Sequence, residues 1–241
     1  RTPAPCAVMR VSSGVRGFHE LVDGGFPDGR LYVISGPPGS GKTTFCAQFL
    51  TKGVQQNETC VFLSMHESKR EIADDLSDYQ FEFSDFIDAG RIKFLNVFSQ
   101  EGKRLLNESR SSTSALNSEN VSKRILRIAG SERVDRIVID SMMLLDHFFA
   151  SAEDNLVQFL TSLKQVDATV LLISEMTDPT TYSDEHYLAH GVVFFHNYLD
   201  ASGMTRGVQI VKMRGTGIDC DIREIEFSDR GLRVHPDKRV Q

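Results

Sequence analysis

No stretch of this 241-residue chain approaches the run of about 18 apolar residues that a membrane-spanning helix needs, so no membrane span is expected. Arg1 to Val11 has no apolar h-region and is not expected to act as a signal peptide. The first residue is not Met, which leaves open a start inside a longer chain. Cysteine is scarce. Cys6, Cys46, Cys60 and Cys220 show no C-x-x-C spacing, and they are read as reduced thiols of a cytoplasmic protein. Positive charge is in deficit, with 27 Lys and Arg against 33 Asp and Glu and a net charge of −6. That balance argues against broad, non-specific DNA binding, although a local basic patch remains compatible with it. The length suits one α/β domain with a large core, expected over residues 1–241 with residues 1–10 as an extension.

The strongest positive signal is Gly36-Pro37-Pro38-Gly39-Ser40-Gly41-Lys42-Thr43, which fits the phosphate-binding P-loop pattern G-x-x-x-x-G-K-S/T. Glycines at 36, 39 and 41 let the backbone curl so that successive N–H groups point at phosphates. Lys42 would reach the β- and γ-phosphates as a point charge. The Thr43 hydroxyl would ligate Mg²⁺. The helix that begins there, with Thr44 in its first turn, would turn its positive end to the same anion. Context agrees: Leu31-Tyr32-Val33-Ile34-Ser35 reads as a buried strand, and Phe45, Phe49 and Leu50 follow with helical spacing. ATP with Mg²⁺ is the expected ligand.

Strands are predicted at 31–35, 60–64, 92–97, 135–140, 168–174, 192–196, 207–213 and 222–227, and helices at 42–56, 68–79, 120–130 and 153–166. Ser68 with Glu71, and Ser151 with Asp154, have the spacing of capping boxes. Leu156, Phe159, Leu160 and Leu163 form a helical stripe that reads as core. Strand and helix alternate in the first half, which implies a parallel sheet with crossover helices. The strand-rich last third implies added antiparallel strands. The Ser/Asn/Glu-rich residues 99–122 read as a flexible loop, more plausibly a solvated linker than a regulatory site.

A second nucleotide signal is Arg136-Ile137-Val138-Ile139-Asp140-Ser141, an apolar strand ending in a carboxylate that could hold Mg²⁺, usually through water. The strand Thr169 to Glu175 ends in Ser174 and Glu175, read either as γ-phosphate sensors or as strand caps. His186 and His190 lie four apart but lack a third ligand, so a metal site other than Mg²⁺ is not expected.

These residues together resemble the KaiC-like branch of the RecA/RadA superfamily. Val11-Ser12-Ser13-Gly14-Val15-Arg16-Gly17-Phe18-His19-Glu20-Leu21-Val22-Asp23-Gly24-Gly25-Phe26-Pro27-Asp28-Gly29 is similar to that family's opening segment. Val211-Lys212-Met213-Arg214-Gly215-Thr216 resembles its K-M-R-G segment, and Gly231-Leu232-Arg233-Val234 its closing strand. The resemblance implies a RecA-like core, with ATP bound between subunits of a ring, typically a hexamer. It also implies that Lys212 and Arg214 act on the neighbour's phosphates. Their i and i+2 spacing on a strand is compatible, because both side chains leave one face.

Departures from the family pattern carry information too. The family usually has two adjacent glutamates after the second strand, the first serving as general base. Here Leu63-Ser64-Met65-His66-Glu67-Ser68 puts His66 first and leaves Glu67 alone. An imidazole can accept a proton, but slowed hydrolysis is the stronger expectation. His19 and His190 stand where the family usually has Asp. No Ser-Thr pair lies near Glu185-His186-Tyr187-Leu188, so autokinase activity is not carried over.

Three functions follow. The first is a slow, ring-forming, nucleotide-dependent regulatory ATPase, with a regulatory protein partner possible. The second is an ATP-holding scaffold without turnover. The third is a DNA recombination paralogue, disfavoured because the loop Thr177 to His190 is acidic and offers only Tyr182 and Tyr187 for stacking.

Overall fold

The computed structural model describes residues 9–96, 118–130, 133–143, 145, 153–178, 180–200 and 203–240. A two-stranded ribbon pairs β1 (Arg10–Val11) with β2 (Phe26–Pro27). The large sheet contains β3 (Leu31–Gly36), β4 (Cys60–Ser64), β5 (Ile92–Asn96), β6 (Arg136–Asp140) and β7 (Thr169–Glu175). It continues through β8 (Gly191–Asp200), β9 (Gly203–Met213), β10 (Arg223–Ser228) and β11 (Gly231–Arg239). The helices are α1 (Lys42–Gln55), α2 (Lys69–Asp75), α3 (Phe83–Asp88), α4 (Ser118–Gly130), α5 (Glu153–Leu163) and α6 (Asp184–Leu188).

The sheet order is β11-β10-β9-β8-β3-β7-β6-β4-β5. From β8 to β5 every pairing is parallel, and β9, β10 and β11 are added antiparallel. This is the α/β architecture expected from the sequence: a mostly parallel sheet flanked by helices, with antiparallel C-terminal strands. Strands covered on both faces must be apolar throughout. Tyr32 and Ile34 of β3 face a core with Phe45 and Phe49 of α1, while Leu31 and Val33 face another with Phe159, Leu160 and Leu163 of α5.

Several boundaries differ from those predicted. α2 stops at Asp75 rather than at 79. Asp74 and Asp75 sit at its C-terminal end, where acidic side chains oppose the helix dipole. α5 ends at Leu163. β8 and β9 run further than predicted, forming one long hairpin from Gly191↔Met213 to Asp200↔Gly203. The short α3 and α6 were not predicted. The capping box of Ser68 and Glu71 is formed. The 99–122 loop is corrected at its end, because 118–122 is the start of α4. Residues 99–117, position 97, Cys6, Ser151 and most of the N-terminal extension lie outside the described residues.

One buried side chain ties the layers together. Arg136 opens β6 and is fully buried. Its guanidinium donates to the carbonyls of Ser12 (2.7 Å) and Phe49 (2.8 Å) and to Gln56 Oε1 (2.8 Å), and it pairs with Glu58. It also lies 4.6 Å from the centroid of the Phe49 ring. β6, whose other end carries Asp140, is thereby anchored to α1 and to the N-terminal segment.

Candidate nucleotide site

The cleft lies where the C-terminal ends of the parallel strands meet α1, the usual place for a ligand on such a sheet. Its volume is about 570 Å³, within the range of small-molecule and cofactor pockets. Pro38, Gly39, Gly41, Lys42, Thr43 and Thr44 form its floor, and His66, Glu67, Asp140 and Glu175 its polar wall. The loop's shape is enforced by glycine. Gly41 has φ +102°, and a Cβ there would collide with the Phe227 ring. Asn197 of β8 donates to Pro38 O at 3.3 Å and pins the loop from the side.

Lys42 is buried. Its Nζ donates to the carbonyls of Gly36 and Pro37, both at 2.9 Å, and pairs with Glu175 Oε2 at 3.1 Å. Thr43 Oγ1 donates to Asp140 Oδ2 at 3.2 Å. Burial pushes the Asp140 carboxyl up to about 6, and the neighbouring Glu67 adds to the effect. A hydroxyl and a buried carboxylate side by side are hard oxygen donors, which suits Mg²⁺. Among the described residues, no three His, Cys, Asp or Glu side chains are grouped to hold a metal by themselves. Glu67 is partly buried, which raises its carboxyl. Its backbone is fixed, since Ser64 Oγ donates to Glu67 O at 2.8 Å and accepts from Glu67 N at 2.9 Å. His66 Nε2 lies 3.8 Å from Glu67 Oε2.

The residues singled out in the sequence fall into two groups. Lys42, Thr43, Thr44, His66, Glu67 and Asp140 converge on the cleft, with Pro38, Gly39 and Gly41 of the loop; Gly36, Pro37 and the buried Ser40 lie in the same loop without lining it. Ser174 is buried and does not line the cleft, and its hydroxyl donates to Glu185 Oε1 at 2.8 Å. Its neighbour Glu175 is the one that reaches Lys42.

Lys212 and Arg214 do not line the cleft and lie further back along the strands. Lys212 is paired with Val192, one residue beyond the partner of Tyr32, whereas the P-loop leaves β3 at Gly36. Lys212 is thus level with Val33, three residues or about 10 Å along the strand from Gly36, and Arg214, whose N–H bonds His190 O beside Leu31, is level with the start of β3, about 17 Å away. Lys212 Nζ donates to the carbonyls of His186 (2.9 Å) and Tyr187 (3.0 Å), and Arg214 to Tyr187 O (3.3 Å). Burial, with Arg214 and Lys164 nearby, lowers the Lys212 ammonium to about 8.

His19 accepts from Ser13 N (3.3 Å) and bonds the Ser12 hydroxyl (3.0 Å), supporting the N-terminal turn. His190 bonds the start of β3, with burial lowering its imidazole to about 4. No sequence motif singled out Tyr79, Arg206 and Phe227, which complete the cleft wall. They come from distant parts of the chain, and the Arg206 guanidinium lies 5.2 Å from the Phe227 ring centroid.

A P-loop between the central strand and first helix of a parallel sheet, with a strand-end Asp beside its Thr, defines a RecA-like P-loop nucleotide-binding fold. The family model "ATPase: KaiC" matches residues 11–239, and the chain belongs to that family. It is similar to the circadian clock protein KaiC3 of Synechocystis sp., 27% identical over 216 residues covering 87% of this chain and 42% of that protein. It is also similar to the circadian clock oscillator protein KaiC of Synechococcus elongatus, 25% identical over 239 residues covering 95% of this chain and 45% of that protein. The chain therefore spans less than half the length of these curated relatives. A crystal structure of a KaiC-like protein from the archaeon Pyrococcus horikoshii superposes with a TM-score of 0.78 at 28% identity, covering 95% of this chain and all of that one.

Proposed function

We propose that this chain binds ATP with Mg²⁺ in the P-loop cleft, hydrolyses it slowly, and works as a nucleotide-dependent regulatory protein in a ring of identical subunits. In this reading Lys42 and the loop N–H groups hold the phosphates, and Thr43 and Asp140 hold the metal. Mg²⁺, when bound, neutralises phosphate charge and fixes the phosphates' orientation. Glu67 or His66 orients the attacking water and accepts its proton. Lys212 and Arg214 of one copy complete the cleft of the next.

The observation that carries the reading is that Lys212 and Arg214 do not line their own cleft and are seated instead on the carbonyls of α6. Seated there they are turned away from the chain's own phosphates, and in this reading a docked copy offers them to its neighbour's cleft. Cations supplied in this way contribute about 10³–10⁵ in rate in other P-loop enzymes.

A second reading, an ATP-holding scaffold without turnover, draws on His66 at the wall of the cleft where the family usually has a glutamate. Phosphate release from ATP with Mg²⁺, measured across protein concentration for the native chain and for His66→Glu, separates the two. Native turnover that rises per subunit with concentration supports the ring ATPase. Turnover only in His66→Glu supports the scaffold.

A further inference from the structure

The five-residue helix α6 touches both the strand ends beneath the P-loop and the two cations of β9 and its following turn. In its middle, His186 Nε2 lies 2.9 Å from Ser35 Oγ, the residue before the P-loop's Gly36. Glu185 Oε1 accepts from Ser174 Oγ at 2.8 Å, and Ser174 precedes Glu175, the partner of Lys42. Ser183 closes the network, donating to Glu185 Oε1 at 2.7 Å and lying 2.9 Å from His186 Nδ1. The backbone carbonyls of the same His186 and of Tyr187 seat the cationic heads of Lys212 and Arg214.

Ser35, His186 and Glu185 have the composition of a hydrolytic triad. Ser35 is fully buried, however, so no substrate could reach its hydroxyl. The arrangement is mechanical. The Ser183 backbone N–H can only donate, and it approaches His186 Nδ1 at 3.2 Å. Nδ1 is therefore the acceptor, and in the neutral ring Nε2 carries the proton and donates to Ser35. Burial keeps the ring neutral by lowering its basicity. With both ring nitrogens engaged and Glu185 and His186 buried, α6 has little freedom to rotate. The positions of two carbonyls on a helix this short follow directly from where its first turn is held.

We propose that His186 and Glu185 are positioning residues that tie the Lys212 and Arg214 cations to the tips of β3 and β7 beneath the chain's own P-loop. This rests on the reading that those cations complete a neighbour's site. What it adds is that the seat of the cations is set by the strands carrying Gly36 and Glu175, so each subunit's nucleotide site and the cations it offers its neighbour share one rigid support.

The test uses the full chain with ATP and Mg²⁺, reading the protein concentration at which assembly is half complete by sedimentation velocity. The affinity of the dilute, unassembled chain for ATP is measured alongside. Arg214→Ala should raise the assembly midpoint about tenfold, and Ser35→Ala about threefold or more with ATP affinity within about twofold of native. Ser183→Ala, at the other end of the imidazole, should act in the same direction. The double variant Ser35→Ala with Arg214→Ala should assemble no worse than Arg214→Ala alone, because the serine acts only through the cations. Full additivity in the double variant, or no effect of either serine variant while Arg214→Ala is impaired, overturns the proposal. An Arg214→Ala chain that assembles like the native one overturns the underlying reading instead.

Discussion

Lys42 and Asp140 face each other across the cleft under different constraints. Lys42 is buried but satisfied by two carbonyls and Glu175. Its hydrogen bonds to phosphate would be charge-assisted, so Lys42→Ala should weaken ATP binding with Mg²⁺ roughly ten- to hundredfold while leaving the fold intact. Unchanged affinity in equilibrium dialysis would contradict the P-loop assignment. Asp140 is held at about 6, above its ordinary 3.8, chiefly by burial. The folded chain therefore binds the proton more tightly than the unfolded chain does. Between these two values the unfolded state gives up its proton first, so stability falls as pH rises through this window. Above pH 6 the cost reaches about 3 kcal/mol, and Asp140→Asn should recover part of it in urea unfolding of the nucleotide-free chain. The same substitution should abolish the advantage Mg²⁺ gives to ATP binding. In the native chain that advantage should shrink as pH drops below about 6, because proton and metal compete for one carboxylate.

At the scale of elements, Arg136 makes the sharpest prediction. Its removal takes a charged donor from the carbonyls of Ser12 and Phe49 and leaves Glu58 without its cation. Arg136→Ala should cost about 3–5 kcal/mol, visible as a lower denaturant midpoint; a loss below about 1 kcal/mol would contradict the clamp. Nothing in the sequence marks this arginine, because it opens an apolar strand as an exposed charged residue would. β3, β4, β6 and β7 were legible because a strand covered on both faces must be apolar throughout. The outer half of the β8–β9 hairpin was not, because Asn197, Tyr198, Thr205 and Arg206 carry no apolar run, and their strand conformation comes from pairing with each other. The six residues of α3 are too few for a periodic signal, and its start at Glu82 lies in the left-handed region. In the site, the loop and Asp140 could be read because their chemistry is tied to strand ends, whereas the His66-Glu67 pair was singled out only through the family resemblance. Alternation along β7 could not decide between Ser174 and Glu175. The structure gives the Lys42 contact to Glu175 and directs Ser174 to Glu185.

For the whole molecule, the P-loop leaves the C-terminal end of β3, while Lys212 and Arg214 are seated on the carbonyls of α6 and do not line that cleft; in the proposed ring they would complete the cleft of a neighbouring copy. Two variants divide the functions between chains. Lys42→Ala has a damaged cleft but intact cations, and Arg214→Ala has an intact cleft but damaged cations. Phosphate release from an equimolar mixture of the two, compared with each alone, reads directly whether one subunit completes another's site. Sharing across the interface predicts a mixture more active than the mean of the separate variants, with the gain disappearing on dilution. A mixture equal to that mean at every concentration would contradict it, and would confine each chain's chemistry to its own cleft.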